Sequence, residues 1–172
     1  MTIRPILLHP DPRLKKPAAR VETITPEIEA LVADMFETMY DAPGIGLAAP
    51  QIGVSRRVIV MDCAGKDEAA QPLVMVNPEI ADRSAETNTH EEGCLSIPEH
   101  FADVTRPAEV AVRWTALDGA ARDGWFEGLW ATCVQHEIDH LDGKLFIDHI
   151  GPLRRQMITR KMTKLKRERA RA

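Results

Sequence analysis

The chain contains no hydrophobic run long enough to cross a bilayer. Its longest aliphatic stretches, Val58–Met61 and Leu73–Val76, fall far short of about 18 residues. Cysteine is scarce and odd in number: Cys63, Cys94 and Cys133 argue against a disulfide framework, and a reducing cytoplasm is the expected compartment. The first ten residues have no long apolar stretch and no small-residue cleavage site, so no signal peptide is expected. Internal repeats and low-complexity tracts are lacking apart from a Lys/Arg-rich end. The glycine-containing stretch Gly44–Gln51 lacks the Lys-Ser/Thr pair of a phosphate loop.

What is there suits one globular unit. The chain has 172 residues, 44% hydrophobic and 28% charged, enough to bury a core without disulfides and too apolar for disorder over its whole length. A single domain over residues 1–172 is expected. Its net charge is −4, but residues 154–171 hold nine Lys/Arg against one acid, Glu168. That segment carries +8 and leaves −12 for the rest, so any polyanionic partner is expected to meet the basic end.

Residues 1–25 hold four prolines and read as an irregular arm. Thr25-Pro26-Glu27 has the form of a helix start, and Ile28, Leu31, Val32, Met35, Phe36 and Met39 follow at helical spacing. A helix over about 26–40 is therefore predicted, ended by Asp41-Ala42-Pro43-Gly44. Arg57–Asp62 and Leu73–Asn77 read as strands, and Val104–Leu117 alternates loosely before an Asp118-Gly119 turn. The pattern is helical again over Leu129–Leu141. A last helix opens at Gly151-Pro152, so the basic C-terminal helix starts at about 151. The predicted class is α+β: mixed or antiparallel strands packed around a central histidine-bearing helix, with an N-terminal and a C-terminal helix.

The sharpest local signal is His136-Glu137-Ile138-Asp139-His140. Residues four apart on a helix sit one above the other, so His136 and His140 present their rings to one metal ion. Glu137 is rotated by about 100° and is placed to act as general base on an activated water rather than as a ligand. A hydrolytic site needs a third protein ligand. The best candidate stretch is Glu91–Ser96, where Cys94 follows a glycine; a thiolate suits Zn(II) or Fe(II) and not Mg or Ca. Gly44–Gln51 offers small residues that leave a backbone edge open to an extended peptide, and Gln51 offers a neutral donor for an oxyanion.

Gly44–Gln51 (GIGLAAPQ), Glu92–Ser96 (EGCLS) and Gln135–Gly143 (QHEIDHLDG) together resemble, in order, the three signature motifs of the bacterial-type peptide deformylase family. The resemblance spans roughly residues 3–168, including His9–Leu14, Asp34–Tyr40 and Gly143–Asp148. It implies removal of the N-formyl group from the starting methionine of new polypeptides. By position, Cys94, His136 and His140 would hold the metal and Glu137 would be the general acid/base. The Gln51 side chain and the Leu95 N–H would hold the oxyanion. Gly44, Ile45, Gly46, Glu92 and Gly93 would meet the peptide, with Phe101 beside it. Leu129, Thr132 and Cys133 would line the methionine pocket with Ile45 and His136. The family's usual metal is Fe(II), replaceable by Ni, Co or Zn. Many members have an Arg where this chain has Phe101, and an aliphatic residue where it has Thr132. The expected partners are formyl-Met nascent peptides and, through the basic end, the ribosome; neither membrane nor DNA is expected. The distal segment, about Lys161–Ala172, is expected to dock and to take no part in the chemistry.

Two other readings stand beside this one. A zincin-type metalloprotease shares the His-Glu-x-x-His pattern, but its third ligand usually follows downstream, whereas Cys94 lies 42 residues upstream of His136. A non-catalytic structural metal site would need a fourth ligand, from His90, His100 or His149.

Overall fold

The computed structural model describes residues 1–172. Helix α1 spans Pro26–Asp41; the Thr25 hydroxyl caps it by accepting from the Ile28 N–H, and Pro26 opens its first turn. Seven strands follow: β1 (Gly46–Ala48), β2 (Val58–Met61), β3 (Leu73–Arg83), β4 (Thr87–Cys94), β5 (Ile97–Pro107), β6 (Glu109–Thr115) and β7 (Ala121–Glu127). Helices α2 (Gly128–Leu141) and α3 (Pro152–Arg171) close the chain. The order is α+β, as the pattern predicts. No helix is long and apolar enough to cross a membrane.

All pairings within the sheets are antiparallel, in a five-stranded sheet of order β1-β2-β3-β6-β7 and a separate hairpin, β4-β5. Alternation along β2 explains how the large sheet is covered twice. Val58 and Val60 pack with α1 through Leu31, Met35 and Met39, whereas Ile59 and Met61 pack with α2 through Val134 and Ile138. A third core joins the hairpin to α3: Ile97, Ala102 and Val104 meet Phe146, Ile147, Ile158 and Met162.

The N-terminal arm is irregular but tied down. Leu7 N–H donates to the Gln51 carbonyl (2.7 Å), His9 N–H to Ser96 O (2.9 Å) and Ala18 N–H to Leu141 O (2.8 Å). The arm thereby touches all three motif segments.

The structure departs from the sequence pattern in several places. Val104–Leu117 is two strands, broken at Ala108, and β3 runs on to Arg83 through register shifts. β4, the first half of β5, and β7 were not predicted, because strands such as Thr87–Cys94 are mostly polar and exposed and carry no alternating apolar set. The distal segment is no free appendage. Met162 is fully buried and Leu165 packs on the third core, so a cut at Lys161 would open that core.

Candidate active site

α2 places His136 and His140 one turn apart, with ring centroids 5.0 Å apart. The helix is sandwiched between the sheet and the hairpin, so both histidines are buried. Cys94 ends β4, and its Sγ lies 3.4 Å from His140 Nε2. One ligand atom each from Cys94, His136 and His140 falls within 4.8 Å of the others. His90 and His100 line the adjoining cleft without joining this cluster, and His149 is engaged 2.8 Å from Asp139. No fourth ligand closes the set.

The surroundings orient these groups. His136 Nδ1 donates to Glu92 Oε1 (3.0 Å), which leaves Nε2 facing the site. Glu92 in turn receives two hydrogen bonds from Arg106, at 2.7 and 2.9 Å, and Arg106 reaches Asp139 at 2.9 Å. Burial alone would raise the Glu92 carboxyl, but the bonds from His136 and Arg106 outweigh it and hold it at about 2. Glu92, expected beside the peptide, has both carboxylate oxygens committed to this network. Burial also opposes charge on His136, yet Cys94 and Glu92 draw its pKa well above the usual range, so the site favours positive charge at this ring. Burial keeps His140 neutral. A cysteine sulfur and two imidazoles, one held neutral and one in a field that favours a cation, fit a borderline divalent ion.

Glu137 is buried, and its Oε1 lies 3.8 Å from His136 Nε2, while Oε2 has no partner. Burial pushes its carboxyl up to about 7, the range in which a carboxylate can take and return a proton near neutral pH. Gln51 is fixed at both ends of its amide: Oε1 accepts from the Ala48 N–H (3.0 Å) and Nε2 donates to Ser96 Oγ (3.1 Å), 3.5 Å from Cys94 Sγ. Cys133 Sγ lies 3.7 Å from the Ile45 carbonyl. At Gly46 a Cβ would stand 2.8 Å from Cys133 Sγ and 3.0 Å from Glu137, so only glycine lets β1 come this close to α2.

These groups open into a cleft of about 750 Å³, a size suited to a small ligand or a short peptide. Gly46, Cys94, Leu95 and Phe101 line it, together with the methionine-pocket residues Leu129, Thr132 and Cys133. Two unpaired strand edges flank it, since β1 ends the large sheet and β4 has a partner only on one side. The Phe101 ring lies against Gly93 on the second of these edges. Arg106 and Asp139 were missed in the sequence, although Ala102, Val104 and Arg106 alternate on the buried face of β5, and a cation in that series signals a buried partner.

An antiparallel body whose His-Glu-x-x-His helix meets a cysteine from a separate hairpin, beside a peptide-sized cleft, defines a metallohydrolase of the single-ion class. The family model described as Polypeptide deformylase matches residues 3–156. The peptide deformylase of Nitrobacter hamburgensis is 53% identical over 168 residues, covering 95% of this chain and 96% of its own. That of Agrobacterium fabrum is 52% identical, covering 97% and 98%. Among solved structures, the Legionella pneumophila peptide deformylase superposes with a TM-score of 0.91 at 48% identity, covering 99% of both chains. The Ehrlichia chaffeensis peptide deformylase in complex with actinonin gives 0.93 at 37% identity, covering 97% of this chain and 99% of that one. The chain belongs to the polypeptide deformylase family, enzymes that remove the N-formyl group from new polypeptides.

Proposed function

We propose that residues 1–172 form one catalytic domain in which Cys94, His136 and His140 hold Fe(II), with Ni, Co or Zn able to replace it, and Glu137 moves the proton. The observation that carries this reading is the convergence of those three ligand atoms within 4.8 Å, with the partnerless oxygen of Glu137 beside them. A bound divalent ion supplies Lewis acidity, lowering the pKa of a water towards neutrality. Glu137 accepts the proton of the attacking water and returns it to the departing amine, for which a carboxyl near 7 is matched. The Gln51 amide and the Leu95 N–H hold the oxyanion of the tetrahedral stage. Gln51 is locked by Ala48 and Ser96 before the reaction begins, so no reorganisation is needed then.

The peptide lies as an added strand between the edges of β1 and β4, meeting Gly44, Ile45, Gly46 and Gly93, with Phe101 against it. The methionine side chain enters between Ile45, Leu129, Thr132 and Cys133. The enzyme works in the cytoplasm on formyl-Met nascent chains. The exposed cations of α3, among them Lys161, Lys164 and Arg167, meet the ribosome. Formate release from a formyl-Met tripeptide, measured anaerobically with Fe(II), tests the reading. The expected result is stoichiometric formate with every peptide bond intact. A metal-loaded chain that releases none, or that cleaves peptide bonds, refutes it.

A further inference from the structure

α3 lays one stripe on the body of the protein: Ile158, Met162 and Leu165, at spacings of four and three. Arg169 is the next member of that stripe, four residues on. It reaches the wall of the cleft, to which the arm residues Ile3, Ile6 and Leu8 also contribute. The cleft has two permanently charged cations in its wall, Arg4 and Arg169. Arg4 is spent: its Nε and Nη2 both donate to Asp34, at 2.9 and 2.7 Å. Arg169 has no carboxylate partner and makes no side-chain hydrogen bond. The remaining exposed charges of the rim, Asp41, Glu91 and Glu99, are negative and equally unpaired.

We infer that Arg169 is a substrate-binding, specificity-determining residue, which anchors a carboxylate on the stretch of peptide that follows the formylated methionine. A carboxylate elsewhere along the cleft meets Asp41, Glu91 or Glu99 and is repelled; one aligned with Arg169 is held. The substrate class is therefore formyl-Met peptides with an acidic residue, or a free terminal carboxylate, at one particular distance from the methionine. Each residue extends the peptide by about 3.3 Å, so this distance reads out as one position in the sequence. The same helix then has two functional faces, an outer cationic one and this inner tip. The inference rests on the deformylase reading above.

The test is a positional scan. Amidated formyl-Met-(Ala)n peptides carry a single Asp or a single Lys at each of the second to sixth positions, and formate release gives kcat and KM at low salt on the metal-loaded full chain. The expected result is one position where Asp lowers KM relative to Lys by about two- to fivefold, the range for a solvent-exposed ion pair, with kcat unchanged. Arg169→Ala abolishes the preference, Arg169→Glu reverses it, Arg169→Lys retains it in part, and Lys144→Ala, at an exposed cation outside the cleft wall, leaves it intact. Raising the salt to about 1 M flattens the profile. An Asp preference that survives in Arg169→Ala, or a wild-type profile with no such position, overturns the inference while formate is still released. Absence of formate from every peptide overturns the deformylase reading and this inference with it.

Discussion

Arg106→Met separates the two jobs of the buried ion network. The guanidinium gives Glu92 two bonds, at 2.7 and 2.9 Å, and Asp139 one, at 2.9 Å, with Arg106 and Glu92 both buried. Methionine fills much of the volume but leaves two carboxylates facing an apolar side chain. Removing one partner of a buried pair costs about 3–5 kcal/mol, a large part of a domain's net stability. Glu92, held at about 2 by the bond from His136 together with these, moves back towards its neutral form and weakens its grip on the His136 Nδ1–H. Loss of such an outer partner lowers metal affinity by about 10- to 100-fold. Urea unfolding of the metal-free chain near neutral pH reads the first effect, and chelator competition reads the second. Glu92→Gln combined with Arg106→Met removes both charges of the pair. It should recover part of the stability, because the Glu92 carboxylate is no longer stranded beside an apolar side chain, but none of the metal affinity. A single Arg106→Met variant within about 0.5 kcal/mol of wild type, holding its metal against the same chelator, would refute the reasoning.

Three further outcomes are expected. Glu137→Gln should retain metal and lose about 10²–10⁴-fold in turnover, read by metal analysis beside formate release; near wild-type turnover contradicts the proton role. Cys94→Ser should lose metal to a limiting chelator, whereas Cys63→Ser, buried beside the sheet, should not; equal metal content in the two breaks the ligand set. Burial, followed by the charge of Lys15, holds His9 down to about 4, so its folded pKa lies below its ordinary value of 6.5. The unfolded chain then binds the extra proton between these values. This contribution to stability is complete above about pH 6.5 and is lost as pH falls towards 4, by at most about 3 kcal/mol. His9→Gln should flatten that stretch of the urea-unfolding profile, and an unchanged slope rules the effect out.

The site was more legible in the sequence than the fold that holds it. His136 and His140 could be paired from spacing alone, because four residues on a helix fix their relation whatever surrounds them. Cys94 needed the neighbouring glycine and a count of ligands, since its distance to α2 is set by tertiary structure. α1 was legible in its cap and its apolar stripe, and β2 in its β-branched run. The β4–β5 hairpin was not, because residues 87–91 face solvent on both sides and leave no period to read. The buried network around Glu92 was not legible for a related reason. A carboxylate next to a motif glycine invites a substrate contact, and only the position of Arg106, 14 residues away, turns it inward. Arg169 looked like one cation among nine until the stripe through Ile158, Met162 and Leu165 showed which way it points.

The candidate ligands come from two different bodies. His136 and His140 belong to the large sheet and its covering helix, whose C-terminal end is clamped by Ala18 and Arg57 at the Leu141 carbonyl. Cys94 belongs to the hairpin that packs on α3. An ion held by all three is therefore a rivet between two hydrogen-bonded units that share no strand. Its loss loosens a seam that the Glu92–His136 and Arg106–Asp139 bonds still bridge, and the backbone amides of β4 and β5 should exchange with solvent faster while those of β2 and β3 keep their protection.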